Sequence, residues 1–450
     1  MKSKRKKTEF DPRVWSARLD KALFFGTFGL LMFGPLAFGA VEHWSISVLE
    51  AGAAILLLVW FAKQWLGGEL KIHWNPLFLP MSVFGALVLA QLVFRSSAYP
   101  HDTFSQALLY TAYAMLCFLS GQTLLRSSQA RKLAVILAVY GFAVAALALL
   151  QDIAPNGKLL WLRQPHMGGW IYGPYVNHNH YAGLMELLVP IPLVIALSRL
   201  TFEKERIAAG VAAAVMTGTV FLCGSRGGML AIVVEFMVLG AILVRQKKSA
   251  RIAIGATAFA VVLIAMLGWL GGKELRGRVS SISTEAHTEI SGGMRFSIDR
   301  DTLRMFGNKP VLGWGLGTFP TVYPQFRTFY TNFFVNEAHN DYLQLLAEMG
   351  LLGFGTMLWF VVVLYRKGLR KIGNWTGDVS GAVSLACVLG ATGILVHSLF
   401  DFNLQIPANA ALFYVLCTIA AGPRLLQKSK KRKPITPAPA TEEMPASEVV

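Results

Sequence analysis

Charged residues are scarce in this sequence, and acidic residues are fewer than basic ones. Only 15% of the 450 residues are charged and 54% are hydrophobic, whereas a soluble protein has about 25% charged residues. The 42 Lys and Arg outnumber the 25 Asp and Glu, which gives a net charge of +17. The basic residues form short clusters between apolar runs, which is typical of membrane orientation and argues against a DNA-binding surface.

Cysteine is also rare. The four cysteines lie inside or at the edge of apolar runs, and none has the spacing of a metal site. We therefore interpret them as small hydrophobic core residues and predict no disulfide. They are Cys117, Cys223, Cys387 and Cys417.

Long apolar runs dominate the sequence. A bilayer core of about 30 Å requires about 20 apolar residues in a helix. The run that follows the basic N-terminus is longer than the apolar region of a signal peptide, so we predict an uncleaved anchor. Twelve segments are predicted to span the membrane: residues 22–41, 45–66, 75–94, 107–125, 132–151, 181–198, 207–223, 227–244, 252–271, 343–365, 379–400 and 407–423.

The distribution of Lys and Arg predicts the orientation of these spans. Eight basic residues precede the first span, and six follow the last one between residues 424 and 433. Alternate short connections carry three or four basic residues, and the others carry at most two. Because basic residues favour cytoplasmic loops, both termini are predicted to be cytoplasmic. The long outer segment 272–342 has eight basic residues, but long loops are translocated largely regardless of charge.

The predicted fold is therefore an all-α polytopic membrane protein of about twelve transmembrane helices. One large periplasmic loop is predicted to be partly helical, and the tail after Pro434 to be disordered because it is rich in Pro, Ala and Glu. The chain divides into a basic cytoplasmic N-terminus (1–21), helices one to nine (22–271), the large loop (272–342), helices ten to twelve (343–423) and a cytoplasmic tail (424–450).

Two clusters of arginine lie on the predicted outer side. Arg226 is the only charge in the glycine-rich turn between spans seven and eight, where glycine lets a bulky ligand approach the backbone. The second cluster is the stretch MRFSIDRDTLRMFGNKP, residues 294–310, which is predicted to form a short helix that lies on the membrane interface. Arg300 and Arg304 would share one face of this helix, and a simple solvated face is the alternative.

Two further clusters contain histidine. His339 lies at the outer mouth of span ten, between Glu337 and Asp341, which we expect to orient its ring; an ordinary interfacial hydrogen-bonding role is equally compatible. In YGPYVNHNHY, residues 172–181, no third ligand accompanies the two histidines, so we predict no metal site and favour contacts with sugar hydroxyls. The stretch GWGLG, residues 313–317, lacks a βαβ context and is interpreted as a turn.

These residue types suggest one kind of chemistry. Arginine binds phosphate through paired hydrogen bonds, and a neutral histidine can accept a proton from a hydroxyl. Together they suit the displacement of an anionic leaving group, such as a pyrophosphate, by an alcohol. No metal or other cofactor is predicted.

The motifs resemble those of the O-antigen ligase/O-antigen polymerase superfamily of bacterial envelope glycosyltransferases. The resemblance covers residues from about 170 to 422, through YGPYVNHNHYAGLMELLVPIPL, GSRGGMLAIVV, MRFSIDRDTLRMFGNKPVLGWGLGTF, EAHNDYLQLLAEMGLLG and HSLFDFNLQIPANAALF. It implies an inner-membrane enzyme, independent of metal, whose periplasmic site takes a glycan from undecaprenyl pyrophosphate. A ligase transfers the glycan to the lipid A core, and a polymerase transfers it to another lipid-linked repeat.

The resemblance also implies roles for single residues. Arg226 matches an arginine that contacts the pyrophosphate, Arg295 matches the arginine that opens the large-loop motif, and His339 matches the general base. Many members have a tryptophan where this chain has Asp299, so either Arg300 or Arg304 could replace Arg295 as the second pyrophosphate contact. The remaining predicted substrate-binding residues are Asn177, Asn179, His180 and Asn340.

A transporter of polysaccharide precursors is the alternative from another class, since twelve spans also suit a flippase. A transporter is expected to place charges near the midplane of the membrane. Most predicted spans lack charge in their interior, but Glu50, Glu186 and Glu235 are exceptions. A non-catalytic scaffold is a third reading, and it predicts that Arg226 and His339 tolerate substitution by alanine.

Overall fold

The computed structural model describes residues 12–165, 169–246, 292–331 and 334–427. Within these ranges the regular structure is helical, and no strand is present beyond isolated bridges. The α-helices are α1 (Pro12–Leu36), α2 (His43–Gly67), α3 (Phe78–Val93), α4 (Pro100–Thr123), α5 (Ser127–Ile153), α6 (His178–Leu188), α7 (Pro190–Leu197), α8 (Glu203–Leu222), α9 (Arg226–Arg245), α10 (Gly292–Asn308), α11 (Phe319–Val322), α12 (Asp341–Gly368), α13 (Val379–His397) and α14 (Pro407–Ala421).

The helices agree with the predicted spans. The span at residues 252–271 lies outside the described residues, and each of the other eleven coincides with a helix. In the described part of the chain, nine helical segments are long and apolar enough to cross a bilayer, when α6 and α7 are counted as one. Helices α3 and α14 are apolar but shorter. The structure is thus consistent with a polytopic membrane protein.

The span predicted at 181–198 is one helical segment whose hydrogen bonding is interrupted at Val189, which keeps helical φ and ψ. Helix α6 ends at Leu188, and α7 begins at Pro190. Pro190 and Pro192 have no amide hydrogen to donate, so they interrupt the helical hydrogen bonds of the preceding turn. This segment lies at the centre of the bundle, since most of its residues are buried, whereas most residues of α2 are not.

The connections between helices gather at two opposite ends of the bundle. At the end predicted to face outward, Arg163 Nη2 lies 2.6 Å from Glu42 Oε1, which joins the 154–177 connection to the start of α2. At the other end, the backbone amide of Ser127 donates to the carbonyl oxygen of Leu426 at 3.0 Å. This arrangement agrees with the alternation of basic and non-basic connections in the sequence.

Helix α12 is kinked at Gly350, whose φ is 62° and ψ is −166°. The kink lets the amide of Leu351 donate to the carbonyl of Pro310 at 2.8 Å. A Cβ atom at Gly350 would clash with the carbonyl oxygen of Val311. The backbone of the large loop is therefore attached directly to α12.

The predicted GWGLG turn is confirmed. The amides of Gly317 and Phe319 donate to the two carboxylate oxygens of Glu348 at 2.9 and 3.0 Å. The amide of Gly315 donates to the backbone carbonyl of Glu348 at 2.9 Å. The turn thus surrounds one acidic side chain of α12 with backbone donors.

The short helix predicted in the large loop is also confirmed, as α10. Ile298 and Met305 are fully buried and pack against the segment that contains α11. Phe296 and Leu303 are 72% and 49% exposed on another face. Such exposed apolar side chains suit a helix that lies on the membrane interface.

Candidate functional site

Asp401 is the centre of a polar cluster at the end of the bundle predicted to face outward. It lies in the loop after α13 and is 1% exposed. Its Oδ1 atom is 3.7 Å from His339 Nδ1 and 3.9 Å from His180 Nε2, and its Oδ2 atom is 3.9 Å from Arg295 Nη2. Three elements that are distant in the sequence therefore meet at one carboxylate.

The charge of Asp401 follows from these neighbours. Burial raises the pKa of its carboxyl, but His339, His180 and Arg295 lower it more, so the pKa lies well below the usual range. Asp401 is therefore ionised at neutral pH. A negative charge at this point favours an imidazolium at the nearer histidine, His339.

Arg295 joins helix α10 to the same loop. Its Nη1 atom donates to the carbonyl oxygen of Phe400 at 2.9 Å, while Nη2 faces Asp401. The loop itself continues from α13, since the amide of Asp401 donates to the carbonyl of His397 at 3.1 Å. One arginine thus fixes α10 over the end of α13.

Phe402 packs against both imidazole rings. The rings of His180 and His339 each lie 4.7 Å from the centroid of Phe402, edge to face. In the described structure, His180 Nε2 and His339 Nδ1 are buried and have no hydrogen-bond partner. Buried polar atoms without partners are uncommon and require an explanation, such as a catalytic role.

His339 also has an unusual backbone. Its φ is 55°, which is rare for residues other than glycine and is found often at functional sites. Asn340 caps the following helix, because its Oδ1 accepts from the amides of Tyr342 and Leu343 at 3.1 and 3.2 Å. The sharp entry into α12 therefore sets the direction of the imidazole.

The prediction that Glu337 and Asp341 orient His339 is wrong. Glu337 accepts a hydrogen bond from Gln344, and burial raises its pKa to about 8. Asp341 accepts from Ser398 Oγ at 2.7 Å and ties α12 to the loop after α13. Asp401, distant in the sequence, faces the ring instead.

Asp299 lies close to the same cluster. Burial raises its pKa to about 6, although the interactions with His339 and Arg295 oppose the shift. Asp299 is therefore electrostatically coupled to His339, the predicted base.

Arg300 and Arg304 lie on the exposed side of α10, away from the contacts of Asp401. With Phe296 and Leu303 they line an open cleft of about 600 Å³. Arg304 Nη1 is 3.5 Å from Asp301 Oδ1 on its own helix. Arg295 thus contacts Asp401, whereas Arg300 and Arg304, the two alternatives to Arg295, line the cleft.

Arg226 is the first residue of α9, and its side chain is exposed. Ser225 caps the helix by accepting from the amide of Gly228 at 3.1 Å. A Cβ atom at Gly227 would clash with the imidazole of His397, so the first turn of α9 packs directly on the end of α13. Arg226 therefore begins a helix that abuts the segment leading to Asp401.

The asparagines have local roles in the structure. Asn177 caps α6 by accepting from the amide of Asn179 at 2.8 Å, and Asn179 is 7% exposed. These contacts explain the sequence around residues 177–179 without a ligand. Contact of Asn177, Asn179 and Asn340 with substrate stays a prediction.

Sequence reasoning missed Asp401 and Phe402. Both lie in HSLFDFNLQIPANAALF, a stretch that contributes to the family resemblance. An isolated acid directly after an apolar span was a usable signal. Its partner was not predictable, because His339 and Asp401 are brought together only by the packing of α12 and α13.

The fold and this cluster define a class: a polytopic, all-helical membrane protein with histidine, aspartate and arginine joined at one end of the bundle. Residues 211–358 match the family model described as O-antigen ligase. The match supports the resemblance to the O-antigen ligase/O-antigen polymerase superfamily that the sequence predicts. A comparison with curated proteins finds no match.

Proposed function

We propose that this protein is a ligase-type glycosyltransferase of the bacterial inner membrane. It moves a glycan from undecaprenyl pyrophosphate to an acceptor hydroxyl, on the lipid A core or on another glycan, at the periplasmic face. The observation that carries the proposal is the convergence of His339, His180 and Arg295 on Asp401, within 3.7 to 3.9 Å. The family match supports a lipid-linked donor and a glycan acceptor in general terms.

In this proposal His339 is the general base. Its Nδ1 faces Asp401, so Nε2 is free to accept the proton of the acceptor hydroxyl. The hydroxyl oxygen then bonds to the anomeric carbon as the bond from that carbon to the bridging phosphate oxygen breaks. The proton stays on His339, where Asp401 stabilises the imidazolium as an aspartate does in a catalytic triad.

The leaving group requires positive charge. The electron pair of the broken bond goes to the pyrophosphate, and Arg295 and Arg226 stabilise the resulting negative charge through hydrogen bonds. No metal ion takes part in this scheme.

An apolar cavity next to the cluster suits the lipid. It has a volume of about 230 Å³ and lies between α12, α13 and α14. Asp341 stands at one end, and Leu345, Phe360 and Tyr414 contribute apolar walls. In the proposal it holds the first isoprene units of the polyprenyl chain.

Substitution of Arg226 tests the proposal. Arg226→Ala should lower the rate by about 10²–10³, because one preorganised electrostatic donor is lost. Arg245→Ala, which removes an exposed arginine at the other end of the same helix, is the matched control and should retain product. Surface glycan is measured in cells, and membrane insertion is checked by immunoblotting. Normal glycan in the Arg226→Ala strain would reject this role.

Two assays separate the alternatives. Purified protein, lipid-linked glycan and acceptor should give a new covalent product, whereas mere relocation of the donor across a vesicle membrane would indicate a transporter.

A deletion strain separates ligase from polymerase. Loss of a ligase leaves unattached lipid-linked polymer, and loss of a polymerase leaves at most one repeat on each anchor.

A further inference from the structure

Three ionisable side chains lie together inside the bundle, on three different spans. Glu186 of α6 is fully buried, and Glu235 of α9 and His397 of α13 are each 1% exposed. None of the three takes part in the proposed glycan transfer. Ionisable groups inside spans are costly and therefore require a specific explanation.

Glu186 and His397 form a close pair. The distance between Glu186 Oε1 and His397 Nδ1 is 2.7 Å. The second oxygen of Glu186 has no hydrogen-bond partner among the described residues. A pair at this distance in a dry interior is strong when the imidazole is protonated and the carboxylate is ionised.

Glu235 is the second carboxylate of the same cluster. Its side chain lies against the α-carbon of Gly393, where a Cβ atom would clash with Glu235 Oε1 and would lie 3.3 Å from Glu186 Cβ. Both oxygens of Glu235 are buried and lack a hydrogen-bond partner in the described ranges. Glu186 and His397 are its titratable neighbours on α6 and α13, and α8 has no ionisable residue from Ile207 to Leu222.

Among the residues that the structure describes, the charges of this cluster do not balance unless it retains a proton. An imidazolium at His397 neutralises one carboxylate, and a second carboxylate without a donor would be an unpaired charge in the membrane. Two adjacent carboxylates also do not both ionise readily. We propose that Glu186, Glu235 and His397 form a buried proton-binding site, in which protonated His397 pairs with Glu186 and Glu235 carries a second proton.

The proposal is independent of the glycosyltransferase assignment, because its test measures stability. Unfolding exposes Glu235 to water, where a carboxyl group has lost its proton above about pH 4.3. Unfolding therefore releases this proton, and the stability of the native protein falls as the pH rises. Glu235→Gln imitates the protonated side chain and has no proton to release.

The experiment compares melting temperatures of the full-length protein in detergent from about pH 5 to about pH 9. The wild type should lose stability across this range, and Glu235→Gln should lose measurably less. Glu203→Gln, which alters an exposed carboxylate in the first turn of α8, outside the cluster, should keep the slope of the wild type. At neutral pH, Glu186→Gln and His397→Gln should each lower the melting temperature, and the double variant should lose less than their sum.

Three results would overturn the proposal. Parallel slopes for the wild type and Glu235→Gln would show that Glu235 holds no proton. A loss of stability in Glu235→Gln at every pH would show that its charged form is needed. Stabilisation of the wild type but not of Glu235→Gln by sodium chloride, relative to choline chloride at fixed pH, would show that a metal cation occupies the site.

Discussion

At the scale of single residues, the roles that depend on local sequence could be predicted and those that depend on packing could not. His339 and Arg295 stand in motifs that are visible in the sequence, and both reach the cluster. Asp401 could not be assigned, since nothing local to it reveals that it faces a histidine from another helix. For the same reason, the neighbours of His339 in the sequence were wrongly expected to orient it.

Replacement of Asp401 tests the site directly. Asp401→Asn keeps the shape of the side chain but removes the charge that stabilises the imidazolium, so the transfer rate should fall by about 10²–10⁴. Asp20→Asn, which changes a half-exposed aspartate paired with Lys63, should retain activity. The measurement is product formation by purified protein, and full activity of Asp401→Asn would contradict the role of the pair.

The pKa of Asp299 predicts a second effect at this scale. Because burial raises its pKa to about 6, from about 3.9 in the unfolded chain, the folded protein binds the extra proton in that window. Stability should therefore fall as the pH rises from about 4 to about 6 and then level off. Melting temperatures should show a smaller fall in Asp299→Asn than in the wild type, and identical profiles would contradict the assignment.

At the scale of elements, long apolar runs made the helices predictable. Eleven predicted spans coincide with helical segments, because runs of about 20 apolar residues favour helices in a bilayer; α3 and α14 are shorter than this length. The proline-induced interruption between α6 and α7 and the glycine-induced kink in α12 are departures from those uniform spans. The close approach of α9 to α13 was also not predictable. It is possible because Gly227 has no side chain, so the imidazole of His397 on α13 can pack against its backbone.

A glycine substitution tests that approach. Gly227→Ala should displace His397 and the first turn of α9, and should lower product formation at least several-fold. Gly240→Ala on the same helix has open space around its added Cβ and serves as the control. Product formation and melting temperature are measured for both variants. Equal activity of the two would show that the close approach of α9 to α13 does not affect the reaction.

At the scale of the whole molecule, the charge pattern of the connections predicts which end faces the cytoplasm. The structure gathers the connections at two ends, which agrees with the pattern. The side of the membrane on which each end lies stays a prediction. The orientation can be tested by labelling introduced cysteines, because the four native cysteines are buried and should not react with the label.

Single cysteines introduced into exposed connections test the orientation. Lys158→Cys should react with a membrane-impermeant maleimide in intact spheroplasts, because it lies in the connection predicted to be periplasmic. Lys204→Cys should react only after lysis. Both side chains are exposed in the structure, so a difference in labelling reports sidedness, and the reverse pattern would invert the proposed topology.

The attachment of the 310–319 segment to α12 has a consequence for how substrates enter. The carbonyl of Pro310 accepts a hydrogen bond from the amide of Leu351, and the amides of Gly317 and Phe319 donate to Glu348. Leu351 and Glu348 both belong to α12, the helix that His339 precedes. This part of the loop therefore cannot lift away as a hinged cover without breaking its hydrogen bonds to α12. Access to the imidazole of His339 therefore cannot depend on movement of residues 310–319 as a separate cover.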